Sequence, residues 1–327
     1  MSERPIRVAV VGVGEFGKNH VRVWRELRAI ELVGIVDTDR ERARQLADQF
    51  GTDVLADLEA LRRARVDAVS LAVPTSEHAR IGCLLLEAGL DVLVEKPMAA
   101  SLSEADQLIA AAARSGSILQ VGHVERFNPA VVAAEKIITR PLFFEVHRLG
   151  IFTPRSLDVD VIYDVMIHDL DILLSFVNAP VVDLKAVGIP VITDKADIAH
   201  ARVEFLTGTV ANLTASRVST ERVRKMRFFQ EHEYISLDFT RQDLLRIRVK
   251  TGAAQPEIGF EKVPTQPEEP LRAELRAFAE SVRTRKPPIV DGAAGRRALA
   301  LADGVMAGIL DHARRVQLGA YTPQPIS

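Results

Sequence analysis

The feature that most constrains the fold is a glycine-rich turn between a short apolar run and a helix. The run IRVAVVG leads into Gly12, Gly14 and Gly17, which have the spacing GxGxxG, and a helical segment follows at once. Gly12 permits a tight turn, Gly14 lets the backbone approach a pyrophosphate, and Gly17 allows close helix packing. Strand, turn and helix in this order predict the first βα unit of a dinucleotide-binding fold.

The residue that ends the second apolar run indicates which dinucleotide is bound. Asp37 closes the run ELVGIVD, 20 residues beyond Gly17. A carboxylate at this place accepts hydrogen bonds from a ribose diol and repels a 2′-phosphate, so the sequence predicts NAD rather than NADP. Glu15, an anion at the start of the helix, is expected to point away from the phosphates. A tight turn without a ligand is the alternative, and the combination of strand, turn, helix and acid disfavours it.

The first part of the chain repeats this alternation of short strands and helices. Five apolar runs without polar alternation, IRVAVVG, ELVGIVD, DAVSLAVP, DVLVEKP and ILQVGH, are separated by helical segments at 15–29, 40–50, 76–89 and 102–115. Such runs are typical of strands that are buried on both faces. Residues 1–122 are therefore predicted to form a doubly wound parallel sheet of the Rossmann type, an NAD-binding domain.

The pattern changes in the remainder of the chain. After the helical segment FNPAVVAAEKIIT, several runs from residue 141 to 251 alternate apolar and polar residues, and two helices follow at about 269–285 and 292–316. This alternation is typical of a mainly antiparallel sheet with helices on one face. A chain of 327 residues is also too long for one ordinary core. Residues 123–327 are predicted to form a second domain for substrate binding, catalysis and oligomerisation.

Composition excludes several functional classes. The formal charge of −2 and the pI near 6.5 leave no basic surface for nucleic acid. A single cysteine, Cys83, cannot form an intrachain disulfide. The apolar runs are far shorter than a membrane span, and no small-residue cleavage site follows the first of them. We therefore expect a cytoplasmic protein with no membrane partner.

The helical segment VIYDVMIHDLDIL, residues 161–173, carries polar residues at unusual positions. Asp164, His168 and Asp171 follow one another at spacings of four and three, which places them on one face of a helix. A solvated face is the ordinary explanation. However, the flanks of this line are apolar and the line contains no Lys, Arg, Gln or Ser. We therefore interpret it as the wall of a cleft.

Two further segments carry candidate site residues. The fourth apolar run ends in Glu95-Lys96-Pro97, and ligands of open α/β sheets lie beyond the carboxyl ends of the strands, so Lys96 is predicted to point toward the nicotinamide. An ordinary solvated lysine is the alternative. The segment GHVERFNPAV, at the predicted domain junction, offers polar groups for substrate. It could instead be a linker in which Asn128 caps the next helix and Pro129 occupies its first position.

Together, GVGEFG, EKP and the D-x-x-x-H of Asp164 and His168 resemble the Gfo/Idh/MocA family of oxidoreductases, over essentially the whole chain. The resemblance implies hydride transfer between NAD(P) and a hydroxyl-bearing carbon of a sugar or cyclitol. It also implies that Lys96 holds the reacting oxygen, that His168 is the general base and that Asp164 binds substrate. The predicted cofactor-binding residues are Gly12, Gly14, Glu15, Phe16, Gly17, Asp37, Thr38, Pro74, Thr75, His78, Glu95 and Lys96.

One departure from the family pattern points to a narrower group. Family members commonly approach the aspartate through glycine-rich sequence, whereas this chain has LDVDVIY at 157–163. With GHVERFNPAV and MIHDLDI, this segment resembles UDP-N-acetylglucosamine 3-dehydrogenases, whose oxidation at C3 precedes transamination to a 3-amino sugar of lipid A. A diphosphate needs cations. The predicted substrate-binding residues are Lys96, His123, Glu125, Arg126, Asn128, Arg148, Arg155, Asp164 and His168.

Other functions stay open on the sequence alone. A dehydrogenase of a free sugar or inositol would use the same chemistry in a different pocket. A non-catalytic dinucleotide-binding regulator would keep the glycine turn but would not need Lys96, Asp164 and His168 together. A metal site at Asp164, His168 and Asp171 has no supporting HxH or CxxC nearby, so we predict no metal. We expect a homodimer or homotetramer, since partner subunits cover the second sheet face in relatives.

Overall fold

A computed structural model describes residues 4–153, 159–250 and 257–318. The chain divides into two compact units. Among the described residues, the first comprises those up to Val124 together with Leu271–Arg296, and the second comprises Glu125–Pro270 and 297–318. Each unit has its own sheet.

The first unit contains a six-stranded parallel sheet in the order β3-β2-β1-β4-β5-β6. Its strands are β1 (Ile6–Val11), β2 (Ile30–Val36), β3 (Asp53–Val54), β4 (Ala68–Leu71), β5 (Asp91–Glu95) and β6 (Leu119–Gly122). Strand order reverses at β1, which pairs with β2 on one side and β4 on the other. The five predicted strands and their parallel arrangement are confirmed. The two-residue strand β3 is an addition that is too short to give a sequence signal.

Helices connect the strands and cover both faces of this sheet, as in doubly wound folds. They are α1 (Gly17–Glu26), α2 (Arg40–Phe50), α3 (Leu58–Arg63), α4 (Thr75–Glu87), α5 (Leu102–Ser115) and the later helix α8 (Pro270–Thr284). Asp39, Asp57 and Ser101 begin α2, α3 and α5 as side-chain caps, each accepting a backbone amide. These caps fix where three of the helices start.

Helix α8 lies in the first unit, which differs from the predicted division of the chain at residue 122. Phe278 of α8 is fully buried, and its ring lies 6.4 Å from the ring of Trp24 in α1. Leu275 joins the same core. The amphipathic pattern of α8 predicted a helix correctly but did not indicate which core its apolar face would enter.

The second unit contains an eight-stranded sheet in the order β14-β13-β12-β11-β7-β10-β9-β8. Its strands are β7 (Pro141–Leu149), β8 (Val181–Ile189), β9 (Ile198–Phe205), β10 (Val210–Ser216), β11 (Val223–Gln230), β12 (Glu233–Asp238), β13 (Asp243–Lys250) and β14 (Glu257–Val263). All neighbours are antiparallel except β7 and β10, which are parallel. The predicted mainly antiparallel sheet is confirmed.

Two details of this sheet were not predicted. The run RKMRFFQEHEYISLDF folds back as two strands, β11 and β12, and His232 between them lies in the left-handed region at φ 59°. Strand β14 is mostly exposed and polar, so its sequence lacks the alternation that identifies a half-buried strand.

Helices cover one face of the second sheet. They are α6 (Pro129–Glu135), α7 (Ile167–Phe176) and α9 (Gly292–Arg315). The first residues of α9, up to Arg296, belong to the first unit. The rings of Phe144, Phe176 and Phe228 lie 5.5–6.4 Å apart and attach α7 to β7 and β11. Within the described ranges, no helix is long and apolar enough to cross a membrane.

Candidate active site

The glycine turn after β1 has the geometry that a pyrophosphate requires. Gly12 has φ +85°, and a Cβ atom there would lie 2.6 Å from the carbonyl oxygen of Ala72. A Cβ atom at Gly17 would overlap the carbonyl oxygen of Gly12. At Gly14, by contrast, an added Cβ would meet no atom within 4 Å. The first and third glycines are therefore demanded by packing, and the second leaves the backbone open to a ligand.

Helix α1 begins directly after this turn and has no side-chain cap. Glu15 does not occupy the helix end, because its Oε1 lies 2.8 Å from Lys18 Nζ at the surface. The Glu15 carboxylate is thus paired with a surface lysine of the first turn of α1. Phe16, which precedes the helix, is exposed. An uncapped helix start with its positive dipole end is suited to binding an anion.

Asp37, at the end of β2, is held beside the glycine turn by hydrogen bonds. Its Oδ2 accepts from the amide of Val13 at 2.7 Å, and its Oδ1 accepts from the amide of Asp39 at 2.8 Å and from Arg42 at 2.7 Å. Burial opposes ionisation, but these donors outweigh it and lower the pKa of Asp37. The residue is thus an ionised carboxylate. Thr38 follows it in an exposed position.

The Glu95-Lys96-Pro97 segment follows β5 and contains a cis peptide bond between Lys96 and Pro97. Glu95 is buried, and its Oε1 lies 2.9 Å from His20 Nε2 of α1, while its Oε2 accepts the amide of Lys96 at 3.2 Å. Burial opposes the charge, yet these partners lower the pKa of Glu95. Glu95 is therefore committed to supporting the backbone at Lys96.

His78, a predicted cofactor ligand, connects two loops instead. Its Nδ1 lies 3.0 Å from the carbonyl oxygen of Pro97, and its Nε2 lies 2.9 Å from that of Val73. The ring is buried, which lowers its pKa despite these carbonyls. Both nitrogens are engaged, so His78 joins the segment after β5 to the start of α4, where Pro74 and Thr75 lie. The residues around the glycine turn and Asp37 together fit NAD.

In the second unit, the predicted catalytic helix begins with a π-helical turn, Ile162–Met166, and continues as α7. Asp164 lies in the turn and His168 in the first turn of α7, and both are half-buried. Asp171 is buried and pairs with Arg126, whose Nη1 lies 3.5 Å from Asp171 Oδ2. The predicted line of three is therefore divided: Asp171 is buried beside a cationic partner, while Asp164 and His168 are each half-buried. π-helical turns occur frequently at functional sites.

Arg148 does not have the phosphate-binding position predicted for it. Its Nε and Nη2 donate to both carboxylate oxygens of Asp169 at 2.8 and 2.7 Å, and its Nη1 donates to Glu125 at 2.8 Å. The guanidinium lies over the ring of Phe239, 4.6 Å from its centroid. Burial opposes the charge, but the two carboxylates outweigh it and raise the pKa of Arg148. Arg148 is a buried structural cation, because its donors are used within the unit.

Several residues of the segment GHVERFNPAV are buried or bonded to other residues of their own unit. Asn128 is buried and caps α6, its Oδ1 accepting the amide of Ala130 at 3.1 Å, while its Nδ2 donates to the carbonyl of Phe239 at 3.0 Å. Glu125 is the partner of Arg148, and His123 is buried in the first unit. Arg155 lies outside the described residues.

Of the two predicted arginines that lie within the described residues, Arg126 and Arg148, Arg126 has the looser pairing. Its guanidinium lies 3.5 Å from Asp171 and 3.6 Å from Glu135, and its Nε has no hydrogen-bond partner among the described residues. These distances are longer than those of charge-assisted hydrogen bonds. Arg126 therefore retains the capacity to bind a further acceptor.

Tyr163 and Asp169 are site-supporting residues that sequence reasoning missed. Tyr163, in the π-helical turn, donates its hydroxyl to Asp303 of α9 at 2.8 Å. Asp169 follows His168 directly and anchors α7 to Arg148. The only sequence signal for either was a polar group in an otherwise apolar segment. Across the described ranges, no group of three or more His, Cys, Asp or Glu is arranged to hold a metal ion.

Known proteins share this architecture and sequence. Residues 6–123 match the Gfo/Idh/MocA profile, an oxidoreductase family with an NAD-binding Rossmann fold. The chain is 39% identical over 300 residues to UDP-N-acetylglucosamine 3-dehydrogenase of Acidithiobacillus ferrooxidans, covering 91% of this chain and 95% of that one. A solved structure of that name from the same organism has a TM-score of 0.88 at 38% identity and covers 93% of this chain and 97% of that one.

A second relative is named as a cyclitol dehydrogenase. The chain is 28% identical over 311 residues to scyllo-inositol 2-dehydrogenase (NAD(+)) of Bacillus subtilis, covering 88% of this chain and 89% of that one. The predicted family, fold class and NAD cofactor are confirmed by these similarities together with the structure. The chain belongs to the Gfo/Idh/MocA family of NAD-binding oxidoreductases.

Proposed function

We propose that this protein is an NAD-dependent dehydrogenase that oxidises the C3 hydroxyl of UDP-N-acetylglucosamine to the 3-keto sugar. The observation that carries the proposal is the 39% identity to a UDP-N-acetylglucosamine 3-dehydrogenase over 91% of the chain. The ketone at C3 is the functional group that transamination would convert to a 3-amino sugar, in keeping with the predicted place in lipid A synthesis.

The proposed chemistry assigns one task to each of three residues. NAD, when bound, supplies the hydride acceptor. His168 removes the hydroxyl proton as the C3–H bond breaks, since imidazole titrates near neutral pH and suits proton transfer. The Lys96 ammonium stabilises the negative charge that develops on the same oxygen. Asp164, one turn before His168, binds the sugar and orients the imidazole.

Each unit holds its own proposed catalytic residues in place by hydrogen bonds from neighbouring residues. Lys96 follows a buried carboxylate, Glu95, which fixes the backbone beside it. His168 and Asp164 are half-buried residues of a largely buried helical segment that Asp169 and Tyr163 attach to neighbouring elements. Hydrogen bonds from neighbouring residues of this kind keep catalytic side chains in one geometry.

A panel of sugars tests the proposal. Purified protein would be given NAD and, in parallel, UDP-N-acetylglucosamine, free N-acetylglucosamine, glucose or inositol, with NADH absorbance as the readout. We expect turnover with the nucleotide sugar and none with the free sugars, because the remote nucleotide supplies binding energy that orients C3. Turnover with inositol alone would favour the cyclitol dehydrogenase suggested by the second relative. No turnover with any sugar, despite NAD binding, would favour a regulator.

We infer further that two copies of the chain associate through the open face of the eight-stranded sheet, the face opposite the helices. A row of apolar side chains crosses this face on neighbouring strands: Phe143, Phe229, Tyr234, Ile247 and Phe260. Phe260 is 73% exposed and Phe229 is 36% exposed. A continuous exposed apolar row of this kind marks an association surface.

The size of the protein in solution tests this inference. We expect sedimentation velocity to give a dimer or tetramer for the wild type. Phe229→Arg should shift it to smaller species, because an arginine placed in each partner's apolar row would be buried without a counter-charge. Leu84→Arg, at an exposed apolar residue of α4 in the other unit, should leave the size unchanged. A monomeric wild type would contradict the inference.

A further inference from the structure

The residues on either side of Lys96 each contact a buried histidine. On one side, Glu95 Oε1 lies 2.9 Å from His20 Nε2 of α1. On the other side, the carbonyl oxygen of Pro97 lies 3.0 Å from His78 Nδ1 of α4. Each of the two histidines is only 1% exposed. The backbone that carries Lys96 is therefore held by contacts with two helices of the first unit.

His78 also has a carbonyl oxygen at its other ring nitrogen. Its Nε2 lies 2.9 Å from the carbonyl oxygen of Val73, which follows β4. Val73 directly precedes Pro74 and Thr75, two residues that the sequence predicts to contact the cofactor. One imidazole ring therefore contacts both the loop before α4 and the backbone that follows Lys96.

The two carbonyl oxygens compete for the ring proton of His78. A carbonyl oxygen can only accept a hydrogen bond, and a neutral imidazole has a single N–H group. Burial lowers the pKa of His78 and so favours the neutral ring. That ring donates either from Nδ1 to Pro97 or from Nε2 to Val73. The nitrogen that carries the proton therefore decides which of the two backbone segments His78 holds.

We propose that His78 is a positioning residue for Lys96, which donates from Nδ1 to the Pro97 carbonyl and so fixes the backbone that carries the lysine. The contact with Pro97 is buried, whereas the contact with Val73 is partly buried, so water can replace the ring only at Val73. A buried carbonyl without a donor is costly, which favours the ring with its proton on Nδ1. The inference rests on the proposed role of Lys96 at the reacting oxygen.

Three substitutions of His78 separate its two contacts. An Asn amide nitrogen replaces ring Nδ1 and a Gln amide nitrogen replaces ring Nε2, so His78→Asn keeps a donor for Pro97 and His78→Gln keeps one for Val73. We expect His78→Ala to lower kcat about ten- to hundredfold, the scale of a slightly misplaced catalytic group, with NAD affinity nearly unchanged. His78→Asn should recover most of this loss and His78→Gln should not. Equal kcat values for the Asn and Gln variants would overturn the inference.

A double-mutant cycle distinguishes positioning of Lys96 from a general structural role. In the Lys96→Ala background, His78→Ala should change kcat by no more than about threefold, because the group that His78 positions is already absent. An undiminished loss of kcat in that background would show that His78 acts by another route. Melting temperatures of the Asn and Gln variants should fall together, so a difference in kcat between them would not follow from stability.

The protonated nitrogen of His78 can be identified without turnover. Long-range 1H–15N spectra of protein labelled with 15N-histidine distinguish a proton on Nδ1 from one on Nε2, and His78→Asn assigns the signals by their loss. We expect a proton on Nδ1, and a proton on Nε2 alone would overturn the inference whatever the kinetics show. The kinetic variants use whichever sugar of the panel is oxidised. If none is oxidised, the proposed function is overturned, and the spectrum still decides whether His78 donates to Pro97.

Discussion

Tyr163 and Asp303 form a 2.8 Å hydrogen bond that joins the π-helical turn beside Asp164 to helix α9. Burial and the neighbouring Asp303 raise the pKa of Tyr163, so its hydroxyl keeps the proton that it donates. We expect Tyr163→Phe to lower the free energy of unfolding by about 1–3 kcal/mol, since Asp303 would lose its partner in a half-buried position. The turnover number should fall several-fold as the turn loosens.

Urea unfolding and steady-state kinetics measure the two effects of Tyr163→Phe. Tyr234→Phe is the matched control, because Tyr234 lies on the open face of the sheet and has no such hydrogen bond among those seen in the described part of the chain. A Tyr163→Phe protein with wild-type stability and turnover would show that this bond does not support the turn.

Loss of the proposed base should affect chemistry and not cofactor binding. We expect His168→Ala to reduce kcat by roughly two to four orders of magnitude, the usual scale for a missing general base, with NAD affinity nearly intact. Lys96→Ala should cause comparable harm. Stopped-flow NADH formation and NAD titration by fluorescence quenching measure the two quantities. His200→Ala, at a histidine of β9 that contacts Thr214, serves as the control. Near-normal turnover of His168→Ala would favour the alternative that Asp164 and His168 belong to an ordinary solvated helix face.

Asp37 should determine the choice of cofactor. The pKa of Asp37 is lowered, so the carboxylate stays charged throughout the neutral range and opposes a 2′-phosphate. We expect Asp37→Ser to weaken NAD binding by about tenfold or more, the scale of one hydrogen bond to a charged group, and to raise the NADP:NAD affinity ratio. Asp48→Ser, an exposed position in α2, should change neither affinity. Tighter binding of NADP than of NAD by the wild type would contradict the assignment.

Removing the buried charge of Arg148 should damage the fold. Arg148→Met leaves Asp169 and Glu125 without their partner, and loss of one member of a buried ion pair costs about 3–5 kcal/mol. Arg227→Met removes a half-exposed pair with Glu145 and should cost about 1 kcal/mol or less. Chemical denaturation compares the two variants. Equal stabilities would mean that the Arg148 cluster adds nothing beyond a surface pair.

Acid should weaken the second unit partly through Asp197. Burial would raise the pKa of this carboxyl, but three backbone amides and Arg217 hold it well below its usual value of 3.8. Because the folded pKa is depressed, its contribution to stability is complete above about pH 4 and is lost as the pH falls through the folded value. Asp197→Asn should lower the melting temperature at pH 7 and flatten the decline between pH 4 and pH 2. Asp183→Asn, exposed on β8, should leave the curve unchanged.

The first half of the fold could be predicted because its signals are local. The turn at Gly12, Gly14 and Gly17 follows its strand directly, and each apolar run shows by itself that it is buried on both faces. The role of Asp37 follows from its distance along the chain from that turn. The chemistry of Lys96 and His168 was likewise proposed from short motifs and their resemblance to a family. The alternation after residue 140 was sufficient to predict a mainly antiparallel sheet.

Tertiary structure decided the features that depend on partners far along the chain. Helix periodicity shows that α8 has an apolar face, but only packing places Phe278 against Trp24, more than 250 residues away. A basic side chain has the same sequence signal whether it binds phosphate or a buried carboxylate, so only the three-dimensional arrangement assigned Arg148 to Asp169. Local pattern determines which elements form and which groups they carry. The partner of each buried charge is set by which elements meet, because burial makes an unpaired charge costly wherever the fold places it.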